Sequence, residues 1–137
     1  LGDKPIRDVK ISFGAEWKKN HWRSIYSAYK NAPFFEFIED ELSKTFHTNT
    51  EFLLDFNTLL LESIFQISKM NLTIRFTEIY SEKIENEIDL RNSFHPKKSN
   101  SISLPTDHQV FQDKHGFLPD LSCLDLLANE GSLKFLK

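Results

Sequence analysis

The sequence contains one cysteine, Cys123, which excludes an internal disulfide and a multi-cysteine metal site. That usage fits a reducing compartment, and the cytoplasm is the expected location. There is no basic excess either: 17 Lys and Arg stand against 20 Asp and Glu, for a net charge of −3. A general nucleic-acid binder normally carries the opposite sign, so nucleic acid is not an expected partner. No run of about 18 apolar residues occurs, so no membrane span is expected. No signal-peptide pattern is present. A Gly-x-x-x-x-Gly-Lys-Ser/Thr loop is missing, and with it an ATP-activating element of that kind. His47, His95, His108 and His115 lack a metal-ligand spacing, so no metal site is expected and no cofactor is assigned. Internal repeats and low-complexity tracts are absent.

What the chain does have is phenylalanine, 13 in 137 residues. The apolar share of 39% is low, and large rings compensate because each buries a large area. The length suits one domain spanning residues 1–137.

Periodicity places the elements. In "VKISF", Val9, Ile11 and Phe13 alternate, which predicts a strand over residues 6–13. Trp22, Ile25, Tyr26 and Tyr29 share one face of a helix over 21–31. Pro33 suits the first turn of a second helix, 34–46, striped by Phe35, Ile38, Leu42 and Phe46. Thr48 and Glu51 have capping-box spacing ahead of a third helix running from about Thr50 to Met70. That helix is apolar nearly all round, so it is expected to be the central, most buried one. Asn71 is its expected left-handed cap. "LTIRF" alternates Leu72, Ile74 and Phe76, a second strand in the same small sheet. The expected fold class is therefore α/β, mainly helical, with a small sheet around a central buried helix, as part of a larger α/β unit.

From Ile84 to Asp113 no period is sustained, and a loop of that length is commonly functional or disordered. The C-terminal segment is locally readable. Gly116 predicts a positive-φ turn. Ser122 and Asp125 have cap spacing for a helix over 121–129, and Gly131 is its natural stop. Cys123 inside that apolar stretch reads as a buried small hydrophobe rather than a nucleophile.

The segments "EWKKNHWRSIYSAYKNAPFF", "IDLRNSFHPKK" and "QVFQDKHGFLPDLSCLDLLANEG", in that order, resemble the WbqC-like family, in its shorter form common in Bacteroidetes. The resemblance covers roughly Ile6 to Gly131. It implies a bacterial protein acting near surface-polysaccharide (O-antigen) synthesis, with a glycine or other aminoacyl transfer role. It also implies that the chain represents roughly the C-terminal two-thirds of the family's usual extent. The N-terminal segment built around a Gln-Pro-Tyr-Phe-Pro-like motif is not in this sequence.

Two functions follow from the resemblance and the polar residues together. One is an acyl or aminoacyl transferase acting on an activated sugar or nucleotide-sugar. The other is a non-catalytic sugar- or nucleotide-binding module that serves a partner enzyme. Aminoacyl transfer to an amino sugar needs a base for the acceptor ammonium, and histidine is the usual one near neutral pH. The catalytic candidates are His115, His95 and Asp125. The substrate-binding candidates are Arg91, Lys97, Asp89, His21, Arg23, Gln109 and Asn129, among which the basic side chains suit a phosphate. Each has a structural alternative: a solvated surface group for the histidines and lysines, an Asp89–Arg91 ion pair, and a helix end for Asn129. Asp125 either completes the Ser122 cap or turns to the loop carrying Arg91 and His95.

Overall fold

The computed structural model describes residues 4–12, 16–82, 87–91 and 106–133. Among them the regular elements are all helical: a 3-10 turn Ile6–Asp8, then α1 Trp17–Tyr29, α2 Phe35–His47, α3 Leu53–Ile67, the single turn α4 Gln112–His115, and α5 Cys123–Glu130.

The expected sheet is not formed among the described residues. Lys10 and Phe52 make one isolated antiparallel bridge, closed by Ile11 N–H to Glu51 O at 2.9 Å and Leu53 N–H to Val9 O at 2.9 Å. Residues 72–76 form no strand, and Leu72 and Phe76 are exposed. Alternation fits a strand only where a neighbouring strand takes up its backbone groups, and none is available to this segment among the described residues. The α/β assignment with a small sheet is therefore corrected to a helical fold among the described residues.

The central helix is also a different one. α2 buries Phe35, Ile38, Leu42, Thr45 and Phe46, the stripe expected of it. α3 buries only Phe56 and Ser63, and Leu61 on its other side is 41% exposed. An all-apolar helix needs neighbours on every side, whereas α3 packs on α2 by one face. Within that face the Thr45 and Ser63 hydroxyls share a buried 2.6 Å hydrogen bond, so neither is left unpaired. Leu60, Ile64 and Ile67 continue the contact. On the other side of α2, Trp22 and Tyr29 of α1 stack on Phe35 at ring separations of 6.4 and 6.3 Å.

The caps differ from expectation in the same region. Thr48 ends α2 instead of starting α3, its hydroxyl donating to Lys44 O. Glu51 pairs with Lys10. The left-handed residue after α3 is Lys69, at φ 55°, and Met70 N–H returns to Phe65 O at 2.9 Å.

α5 is seated as the sequence implies. Ser122 caps it by accepting from Leu124 N–H at 3.2 Å, and Gly131 ends it at φ 67°. A side chain at Gly131 would meet the Phe34 ring at 2.6 Å. Phe34 N–H donates to Ala128 O at 2.9 Å, so the end of α5 is pinned to the start of α2. Leu127 and Ala128 are completely buried in the core that α2 organises.

Candidate functional site

The distinctive polar group of the fold is Asp125. It stands in the first turn of α5 yet is only 3% exposed. Its carboxylate does not return to the Ser122 cap. It accepts instead from Asn129 Nδ2 at 3.3 Å and is acted on by the Tyr29 hydroxyl at the end of α1. Asn129, one helical turn on, also donates to the Asp125 carbonyl at 2.8 Å and is itself buried. The i, i+4 spacing places the two side chains on one helix face.

Burial pushes the Asp125 carboxyl above its ordinary value, because a charge is costly away from water. The Asp107 carboxylate pushes in the same direction. The Tyr29 and Asn129 hydrogen bonds and the His108 charge oppose it. Tyr29 responds in turn, raised to about 12 by its burial and by the Asp125 charge and hydrogen bond. Asp125, Tyr29, Asn129, Asp107 and His108 thus form one electrostatic unit drawn from α1, α5 and the segment before α4.

Tyr29, Asp107 and His108 were not among the site residues expected from sequence. Tyr29 falls on the apolar stripe of α1, where only its hydroxyl departs from a core role. His108, in the segment before α4, is exposed.

The other candidates are dispersed. His115 is exposed at the end of α4, its ring edge-on to Phe111 at 6.5 Å. Arg91 is committed to a local clip: it holds the Asp89 carboxylate through Nε at 2.9 Å and Nη2 at 2.6 Å, and donates to the carbonyls of Ser81 and Glu82. These contacts lower Asp89 to about 2. Asp89 and Arg91 form the ion pair that their spacing allows, and Asp125 takes its partners elsewhere. Gln109 is buried and clamps the following turn, donating to Leu118 O at 2.7 Å and accepting from Leu118 N–H at 2.8 Å. His21 is exposed, edge-on to Trp17 at 5.4 Å. Arg23 lines an open depression with Ser24, Ser27, Ala28 and Phe111. His95 and Lys97 lie outside the described residues.

Burial raises the Cys123 thiol, which keeps it protonated and a poor nucleophile. No group of three or more His, Cys, Asp or Glu that would hold a metal occurs among the described residues. No helix among them is long and apolar enough to cross a membrane.

Comparison with known proteins yields one family. The model of the WbqC-like protein family matches residues 1–99, which includes α1 to α3 and ends before α4 and α5. No curated protein matches. No solved structure matches.

Proposed function

The chain belongs to the WbqC-like protein family, and on that premise we propose that it serves surface-polysaccharide (O-antigen) biosynthesis as an acyl or aminoacyl transferase acting on an activated sugar. The observation that supports the chemistry is the buried Asp125 carboxyl, which accepts from Asn129 Nδ2 and is acted on by the Tyr29 hydroxyl and the charge of the exposed His108. The acceptor ammonium must lose a proton before its nitrogen attacks an activated carboxyl group. An imidazole takes such a proton near neutral pH, and a fixed carboxylate behind it favours the imidazolium that results. A carboxylate kept from water acts more strongly on that charge than an exposed one. In this scheme His108 is the base and Asp125 its positioning group, with His115 and His95 as alternative bases. The cytoplasm, where activated sugars are made, is the proposed location.

The test is transfer by the purified chain from labelled aminoacyl and acyl donors to amino-sugar nucleotides. His108→Ala should lose transfer. Asp125→Asn should retain binding but shift the pH–rate profile. Wild-type rates and profile in both folded variants would reject the scheme.

One observation favours a non-catalytic sugar- or nucleotide-binding module instead. Asp125 already accepts from Asn129, is acted on by the Tyr29 hydroxyl and is nearly sealed from water, as a purely structural anchor between α1 and α5 would be. Thermal shift by a nucleotide-sugar without turnover under any donor would favour that module, since a ligand of the native state alone raises Tm.

A further inference from the structure

The basic residues of α1 are unequally employed. From Trp17 to Tyr29 the helix carries Lys18, Lys19 and Arg23 and no acidic residue. Lys18 donates to Thr48 O at 2.7 Å and Lys19 to Glu16 at 3.1 Å. Arg23 has no hydrogen-bonded or ion-paired partner among the described residues. It opens instead on the depression between α1 and Phe111, whose lining among the described residues contains two serines and no acid. Phe111, the opposite wall, is 49% exposed.

We propose that this depression binds the phosphate end of a phosphorylated carbohydrate, with Arg23 and Ser27 on the phosphate and the Phe111 ring against the sugar. The proposal rests on the transferase scheme and gives its substrate a place. A guanidinium offers a planar fork of donors that matches two phosphate oxygens at once. An exposed aromatic face gives up unfavourable contact with water when a sugar's C–H face covers it. Ser24 already donates to Asn20 O at 2.9 Å, which leaves its oxygen as an acceptor and Ser27 as the donor hydroxyl.

The depression and the Asp125 unit are bounded by the same two chain segments. Arg23 precedes Tyr29 on α1 by six residues, about 9 Å of helix. Phe111 follows His108 by three residues, at most about 11 Å of chain. Those spans are on the scale of a sugar with its phosphate. His115, edge-on to Phe111, stands at the same wall.

The experiment is an NMR titration of the isotope-labelled chain with three probes: inorganic diphosphate, UDP-N-acetylglucosamine and free N-acetylglucosamine. Saturable shifts are expected at the Arg23 side chain, Ser27 and Phe111 with the first two. Arg23→Ala should weaken both by about tenfold or more, the loss of one charge-assisted contact. Phe111→Ala should weaken the nucleotide-sugar and leave diphosphate unchanged. Arg23 is exposed, so an otherwise unchanged spectrum will confirm that its variant is folded. Shifts that saturate elsewhere, or that persist undiminished in Arg23→Ala, would overturn the depression as the site while leaving the His108–Asp125 scheme standing. No shift with any probe would overturn the depression as well. Failure of the transfer assay in the presence of these shifts would reject the scheme and keep the binding site.

Discussion

The Tyr29 hydroxyl at the end of α1 and the Asp125 carboxyl in the first turn of α5 shift each other's titration, coupling two helices that are distant in sequence. The coupling links a buried carboxyl to a ring that is itself stacked on Phe35 at the centre of the core. Any change to either group is therefore felt both in stability and in the titration of the other.

Tyr29→Phe removes the hydroxyl and keeps the ring. The Asp125 carboxyl then loses a group that opposes its shift, and its pKa should rise further above the ordinary range. Leaving the buried carboxyl short of one partner should cost about 1–3 kcal/mol. Carboxyl-carbon NMR reads the first effect and denaturant unfolding the second. An unmoved Asp125 titration would contradict the coupling.

Asp125→Asn should change how stability depends on pH. In the wild type the folded carboxyl has its pKa raised above 3.8, so the native state holds that proton more tightly than the unfolded chain does. Its contribution is full below the ordinary value and is lost as pH rises from there through the raised value. The variant lacks this titration. Wild-type stability should therefore fall relative to Asp125→Asn across that window, measured as the difference between two denaturation series.

Gly131→Ala tests the seat of α5. The left-handed backbone at φ 67° alone costs a side chain about 1–2 kcal/mol. The new methyl would also press on the Phe34 ring. Reduced denaturation midpoints with an unchanged m-value are expected, and an unaltered midpoint would show that the end of α5 adjusts freely.

Much of the helical frame is legible in the sequence because it follows from local pattern. The α2 stripe of Phe35, Ile38, Leu42 and Phe46 is the buried one. Ser122, Gly116 and Gly131 take the cap and turn geometries their types favour. What could not be read depends on neighbours. Leu72, Ile74 and Phe76 alternate as a strand would, but pairing is a property of two segments. The apolar circumference of α3 states only that the helix is hydrophobic, and whether anything surrounds it is decided by the rest of the fold. Thr48 and Glu51 satisfy a capping spacing, yet each found a closer partner, in Lys44 O and in Lys10. The Asp125 partner was hidden for the same reason. The sequence offers Ser122 locally and Arg91 by analogy, while the fold supplies Tyr29 from an apolar stripe.

The central claim is that His108 and Asp125 support a transfer reaction on a surface sugar. Its most direct test is the glycine and acyl content of the surface polysaccharide in cells whose only copy of this protein carries His108→Ala or Asp125→Asn, at wild-type protein levels. Loss of the substituent in the His108→Ala strain and a reduced content in the Asp125→Asn strain are the predicted results. Unchanged substituent content in both strains would contradict the claim.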